Sequence, residues 1–431
     1  MSKFQLLIMF VFGAFIVLGV IIFSASRGTS TKPENKVTIW GTLPLSDFNT
    51  MLKEHPVSEN KEFAITYVQK RSTEFDQAFI EALAEGKGPD LVFLPHDSLW
   101  KHQGKLFPIP YKSYSERLFK DTFIEEGELY LSSSGIMGLP ILVDPLMMYW
   151  NRDVFSNAGI SRPPEYWDEM FTLAQTLTKK DESFNITESA VALGEFRNIA
   201  NAKEIISALI TQAGGPITQR TDKGATVVLN QKLDQTIVPA EAAINFYTEF
   251  SNPIKLFYSW NRSLPRSDNF FTAGDLGIYF GFASELDQIK AKNPNINFDV
   301  ALFPQSREGQ NKTTYGRVQA LSVVKSSRNI AAAVSIAAIL TDKEHSAALS
   351  TIAGLPPVRR DLLSKAPSGD AYSILFYQSA LRARGWLDPD SVATTAIFQS
   401  MIESITAGRL RTSQAVSRAH SEMQDLFNQT K

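Results

Sequence analysis

The chain has 431 residues, which is enough for roughly two to three domains of ordinary size. Its formal net charge is −2, so the charge balance does not point to a nucleic-acid partner. It contains no cysteine, which excludes disulfides, thiolate metal sites, thiol catalysis and a lipid-modified cysteine.

The N-terminal segment predicts a membrane anchor. Residues 4–26 carry no charge, and this apolar run has about the length that crosses a hydrocarbon core as a helix. The apolar region of a secretory signal peptide is shorter, but Ser24-Ala25-Ser26 resembles a small-residue cleavage site, so a cleaved signal stays an alternative. The polar stretch that follows predicts an extended linker. We therefore assign residues 1–36 to one N-terminal transmembrane helix and a linker at the cell membrane.

Strands and helices alternate after this segment. Val37–Trp40 and Phe63–Val68 have the composition of short strands, and Leu91–Leu94 that of a fully buried strand. Between them, apolar residues from Phe75 to Leu83 recur at the i, i+3, i+4, i+7 and i+8 spacing of a helix. This order, with glycine and proline at the joints, is typical of a parallel α/β sheet.

The rest of the chain continues the alternation. The pattern predicts helices over residues 163–177, 202–213, 239–250, 330–340 and 342–353, and a helical tail over 371–427. It predicts strands over Leu276–Phe280, Phe298–Leu302 and Val318–Val324. Thr341 with Glu344 three residues later has the spacing of a capping box.

One carboxylate stands in an unusual place. Asp144 lies inside an apolar run and is flanked by Pro140 and Pro145. A buried charge is costly unless it lies at an exposed strand end or meets a partner. Asp144 is therefore either a hinge residue or a ligand contact.

These segments, in this order, resemble the extracellular solute-binding proteins of ABC importers, in the family that includes the maltose-binding protein. The resemblance covers nearly the whole chain after residue 36. It implies an α/β periplasmic-binding-protein-like fold of type II, with two hinge-connected lobes and a ligand cleft between them. It rests on five segments: 75–99, 138–170, 270–304, 316–329 and 354–363.

The resemblance also implies where the lobes divide. Lobe 1 comprises residues 37–142 together with 320–362. Lobe 2 comprises residues 143–319 together with the helical part 363–431. Asp144 then falls at the first crossover between the lobes.

Three candidate ligand contacts lie at strand ends or at this crossover. Trp40 ends the first strand, where an indole can stack on a sugar ring, and core packing is the alternative. Asp97 follows a buried strand and, by the resemblance, hydrogen-bonds sugar hydroxyls; helix capping is the alternative. Leu94 replaces an aromatic residue of the family, which weakens the case for a maltose-like ligand. Asp144 aligns with an acidic ligand contact, and its oxygens suit vicinal hydroxyls.

Six further candidates lie near a strand end, a loop of lobe 2 or a predicted crossover. An aromatic ring in such a place can form a stacking wall, and an arginine can bind hydroxyls, carboxylates or phosphate. Solvated surface is the alternative for the last three of them. The six are Trp260, Phe282, Ser284, Tyr315, Arg317 and Arg359.

The sequence thus predicts a binding protein that captures a small polar solute, with a carbohydrate favoured, and delivers it to ABC permease subunits. A membrane-tethered sensor acting through a partner receptor is one alternative. A glycosidase with Asp97 and Asp144 as acid and base is another. The five scattered histidines show no metal-ligand spacing, and no nucleotide or cofactor motif is present. We therefore predict no enzyme activity, metal, cofactor or nucleic acid.

Overall fold

The computed structural model describes residues 35–57, 63–221, 224–233, 236–309, 312–365 and 370–429. The predicted transmembrane helix lies outside these residues. Within the ranges described, no helix combines the length and the apolar character that crossing a membrane requires.

The strands, in chain order, are β1 (Asn35–Gly41), β2 (Phe63–Gln69), β3 (Leu91–Pro95), β4 (Leu131–Ser132), β5 (Gly135–Ile136), β6 (Leu139–Asn151), β7 (Lys179–Lys180), β8 (Ile186–Val191), β9 (Thr218–Thr221), β10 (Gly224–Val227), β11 (Leu276–Phe282), β12 (Phe298–Ala301), β13 (Thr314–Val323) and β14 (Ala383–Arg384).

The α-helices are α1 (Leu45–Glu54), α2 (Phe75–Ala84), α3 (His96–His102), α4 (Glu116–Thr122), α5 (Arg152–Asn157), α6 (Glu169–Leu177), α7 (Ala202–Gln212), α8 (Pro239–Glu249), α9 (Ser267–Ala273), α10 (Leu286–Lys292), α11 (Ile330–Leu340), α12 (Lys343–Ala353), α13 (Arg360–Leu363), α14 (Ala371–Ala380), α15 (Ser391–Thr406) and α16 (Thr412–Gln429). Short 3₁₀ helices cover η1 (Gln103–Lys105), η2 (Glu125–Tyr130) and η3 (Ala283–Glu285).

The main sheet has the strand order β2-β1-β3-β13-β6-β11-β8-β7. Strands β1, β2 and β3 are parallel, whereas β13 runs antiparallel to both β3 and β6. Strand β12 also pairs with β6, and β14 pairs with β13. The parallel strands with helices between them confirm the predicted α/β class.

Strand β6 joins the two halves of this sheet. Residues 139–145 pair with β13, and residues 146–150 pair with β11. All its residues are buried, which explains why an apolar run fills both of its faces. Asp144 lies next to the point where β6 changes its partner from β13 to β11.

Two local predictions were wrong in detail. The helix predicted from residue 163 begins at Glu169, because the preceding residues form a turn in which Tyr166 bridges to Gln305. The cap of α12 is Asp342 rather than Thr341: its Oδ1 accepts a hydrogen bond from the backbone N–H of His345. The Thr341 hydroxyl instead donates to a carbonyl of the preceding helix.

Candidate functional site

The site begins at the carboxyl ends of strands β1 and β3. Trp40 pairs with Val92 in parallel register, so β1 and β3 end on the same side of the sheet. Helix α3 starts directly after β3 and carries Asp97 in its first turn. The Trp40 ring is nearly buried, and the Lys70 ammonium lies 3.9 Å from its centroid. Both candidates of this lobe therefore lie at one sheet edge.

Arg317 connects these strand ends to helix α7. Its Nε lies 3.3 Å from Oδ2 of Asp97, and its Nη2 lies 3.2 Å from Oε1 of Glu204, in the first turn of α7. The guanidinium carbon is 4.5 Å from the ring centroid of Phe282. Arg317 thus bridges two carboxylates while its planar group lies over an aromatic ring.

The two charges of this pair stabilise each other. Burial by itself would raise the pKa of Asp97, but Arg317, His96 and Lys203 together hold that pKa below its usual value. Burial would likewise lower the pKa of Arg317, but Asp97 and Glu204 outweigh it and raise that pKa. The carboxylate and the guanidinium are therefore both charged at neutral pH.

Asp144 faces Ser284 rather than open space. Its Oδ1 accepts the backbone N–H of Ser284 at 3.0 Å, and its Oδ2 accepts the Ser284 hydroxyl at 2.6 Å. Burial raises the pKa of Asp144 to about 6, although these hydrogen bonds and Arg317 oppose the rise. Asp144 thus fixes η3 against the crossing strand β6.

Tyr315 lies in a buried cluster behind Arg317. Its hydroxyl is 3.3 Å from Nε2 of His96, whose Nδ1 accepts the backbone N–H of Val318. Burial lowers the pKa of His96 to about 4. The Glu126 carboxylate accepts the backbone N–H of Gly385, and burial raises its pKa to about 8. This layer packs beneath Arg317.

A buried ion pair supports the second lobe next to Glu204. The Lys203 ammonium lies 2.9 Å from Oδ2 of Asp388 and also donates to the hydroxyls of Ser391 and Thr394. Both charged side chains are almost completely buried. The pair ties the start of α7 to the segment that leads into α15.

The structure brings six of the nine predicted residues together and separates Trp260 and Arg359 from them. Trp260 is fully buried, and its indole N–H donates to Asn198, so its ring packs in the core and does not form a stacking wall. Arg359 instead pairs with Asp361 and donates to the carbonyl of Thr341, outside the cluster around Arg317. Trp40 shares the sheet edge of Asp97. The cluster around Arg317 comprises Asp97, Asp144, Phe282, Ser284 and Tyr315.

Three residues of the site were missed by the sequence reasoning. Glu204, Lys203 and Asp388 belong to no motif, and the sequence of α7 has the pattern of an ordinary amphipathic helix. A lysine and a glutamate at the start of an apolar helix were the available signal. Among the described residues, no group of three or more histidines and carboxylates is arranged to hold a metal ion.

Residues 48–372 match the family model of bacterial extracellular solute-binding proteins. The chain belongs to this family. It is 26% identical over 261 residues to a putative binding protein of Brucella abortus and equally to one of Brucella suis. The match covers 58% of this chain and 58% of each relative, so the chain spans somewhat more than half the length of those relatives.

Solved structures share the fold over nearly the whole chain. A cyclo/maltodextrin-binding protein complexed with maltotetraose superimposes with a TM-score of 0.72 at 18% identity, covering 92% of this chain and 98% of that one. An ABC transporter solute-binding protein from Thermotoga lettingae, bound with α-D-tagatose, gives 0.68 at 19% identity, covering 91% and 100%. These similarities confirm the predicted two-lobed, periplasmic-binding-protein-like fold.

Proposed function

We propose that this chain captures a small polar solute, in first place a carbohydrate, between its two lobes and delivers it to an ABC importer. The observation that carries the proposal is the position of Arg317, which contacts Asp97 from one lobe and Glu204 from the other. A side chain that contacts both lobes at once can respond to a ligand that binds between them.

The residues of the cluster take distinct roles in this proposal. Asp97 and Glu204 accept hydrogen bonds from ligand hydroxyls, and Arg317 donates to ligand oxygens. The rings of Phe282 and Trp40 supply aromatic surface to the apolar face of a sugar ring once the lobes separate. Asp144 positions η3 through Ser284. Sugars bound to proteins of the same fold, maltotetraose and tagatose among them, support the carbohydrate class.

The glycosidase alternative has less support. It needs one carboxyl group that is free to protonate a leaving group. The pKa values of Asp97 and Asp144 do lie apart, but both oxygens of Asp144 accept from Ser284 and Asp97 pairs with Arg317. The family is one of solute-binding proteins rather than enzymes.

The anchor and the lobe boundaries complete the proposal. The apolar run of residues 4–26 holds the binding domain at the outer face of the cytoplasmic membrane, close to a permease. The lobes divide near residues 142 and 319, where β6 and β13 cross. The change of partner along β6 supports the first of these boundaries.

A thermal-shift screen of the full chain tests the proposal. The panel contains neutral sugars, polyols and sugar phosphates, and a saturable rise in melting temperature identifies the ligand class. Arg317→Gln should abolish the shift, whereas Arg117→Gln, on an exposed helix of lobe 1, should retain it. A panel in which no sugar or polyol shifts the melting temperature, but an anionic metabolite does, would contradict the carbohydrate class.

A further inference from the structure

A cavity of about 420 Å³ lies beside the start of β13. It shares no lining residue with the Arg317 cluster. Its walls come from three parts of the chain: the turn 162–166, strand β12 with the residues after it, and the segment from α14 to Arg382. Its floor is apolar and is formed by Pro163, Val300, Leu302, Phe303 and Leu375.

Three cationic side chains line this cavity. Arg162, Lys312 and Arg382 each come from a different segment, and Glu165 is the single carboxylate in the lining. Among the described residues, none of these three cations has a carboxylate oxygen within the 4.0 Å of an ion pair. The neighbouring Arg307, by contrast, pairs with two carboxylates. The cavity thus holds positive charge that the described part of the protein leaves uncompensated.

The backbone around these cations is fixed by hydrogen bonds. The buried Gln305 amide donates to the carbonyls of Phe303 and Thr313 and accepts the backbone N–H of Thr313, next to Lys312. The backbone N–H of Thr314 donates to the carbonyl of Arg382 at 3.0 Å. The main chain that follows Lys312 and the main chain at Arg382 are therefore joined by hydrogen bonds without a ligand, so binding costs little ordering of the main chain there.

We propose that this cavity binds a phosphate group carried on a small organic body. Two arginines provide planar donors that match phosphate oxygens, and Lys312 adds a third charge. Three cations against one carboxylate leave two positive charges uncompensated, which suits a phosphate dianion. The apolar floor accommodates the body that carries the phosphate. The source is either a soluble phosphate ester or the headgroup of a phospholipid.

Titration calorimetry of the full chain with inorganic phosphate, at an ionic strength held constant with chloride, tests the site. The wild type should bind phosphate saturably. Arg162→Gln combined with Arg382→Gln should weaken binding about tenfold or more, the effect of losing hydrogen bonds to a charged group. A charge-matched control, Arg71→Gln with Arg117→Gln, removes two exposed cations of lobe 1 and should bind like the wild type.

Two results would overturn the proposal: no saturable binding, or equal weakening in the charge-matched control. If the double variant loses its cooperative thermal transition, Lys312→Gln replaces it, because that side chain is exposed and its removal leaves the walls intact. Lys312→Gln should then weaken phosphate binding, and unchanged binding in this variant counts against the site.

A second arm separates the two sources of phosphate. The full chain is titrated with inorganic phosphate in phosphatidylcholine vesicles and in vesicles that also contain phosphatidic acid. A lipid headgroup that occupies the cavity will abolish phosphate binding only in the second vesicles, and only in proteins that retain Arg162 and Arg382. Binding that stays equal in both assigns the site to a soluble phosphate ester.

Discussion

Arg317 and Asp97 form an ion pair with 3.3 Å between Nε and Oδ2, although 220 positions separate them in the chain. The strand register explains the contact. Gln319 of β13 lies opposite Pro95 of β3, and the two strands are antiparallel. Arg317, two residues before Gln319, and Asp97, two residues after Pro95, therefore lie opposite each other just beyond the stretch in which β3 and β13 pair. The pair is a consequence of the sheet that joins the lobes.

Arg317→Gln should weaken solute binding and also destabilise the protein. The change leaves the buried carboxylate of Asp97 without its main counter-ion. We expect a loss of about 1–3 kcal/mol in the free energy of unfolding, the range for a hydrogen bond to a charged group. Adding Asp97→Asn should recover part of this loss, because the uncompensated charge is then removed. Urea unfolding of the two single variants and the double variant gives the comparison, and strictly additive losses would contradict the pairing.

Asp144→Ala should cost stability through Ser284. The backbone N–H and the hydroxyl of Ser284 both lose their acceptor, and we expect a loss of about 1–3 kcal/mol. Ser284→Ala removes only the hydroxyl bond and should cost less. Denaturant unfolding measures stability, and the thermal-shift screen measures ligand binding on the same variants. Unchanged stability in Asp144→Ala, combined with lost binding, would show instead that Asp144 contacts the ligand directly.

The sequence could not decide the role of Asp144. The family resemblance put this lone charge at a predicted crossover, and β6 changes its partner next to it. Whether the carboxylate faces a ligand or a serine depends on η3, which is 140 positions away. Local pattern carries no information about that contact. The alternation of strands and helices, in contrast, follows from local periodicity and was largely recovered.

The errors at the site have the same physical origin. Trp260 lies in a segment without helical or strand periodicity, so nothing in the pattern showed that its ring faces the core. Glu204 sits in the first turn of an ordinary helix, and its partner Arg317 is 113 positions away. Such pairs between distant residues depend on how the helices and strands pack in the folded protein. Local sequence pattern does not predict that packing.

Phe282 and Trp260 give a matched test of which aromatic ring serves the ligand. Phe282→Leu removes the ring beneath Arg317 and should weaken ligand binding, with a modest loss of stability. Trp260→Phe removes part of a fully buried indole and leaves Asn198 without its donor, so it should mainly lower stability, by about 1–3 kcal/mol. The affinity of the Trp260 variant should stay that of the wild type. Thermal shift with the identified solute reports both effects. A loss of affinity in Trp260→Phe but not in Phe282→Leu would contradict this assignment of the two rings.

Glu126 should make the stability of the protein depend on pH above neutrality. Burial raises its pKa from an ordinary 4.5 to about 8. Between these values the folded state binds a proton that the unfolded state lacks, so the free energy of unfolding falls as the pH rises. Glu126→Gln keeps an acceptor for the backbone N–H of Gly385 but cannot ionise, so it removes this contribution.

The window from pH 7 to 9 isolates the effect of Glu126. His96 has its pKa lowered to about 4 and titrates in the unfolded state near 6.5, so above pH 7 it is largely neutral in both states. Asp144, with a pKa of about 6, is ionised there. The wild type should therefore lose stability relative to Glu126→Gln as the pH approaches and passes 8. Between pH 7 and 9 the difference should grow by about 1 kcal/mol, since one pKa unit corresponds to about 1.4 kcal/mol, and it should level off above pH 8, once Glu126 is ionised in both states. Urea unfolding at each pH measures it, and parallel profiles for the two proteins would mean that Glu126 is already ionised at pH 7.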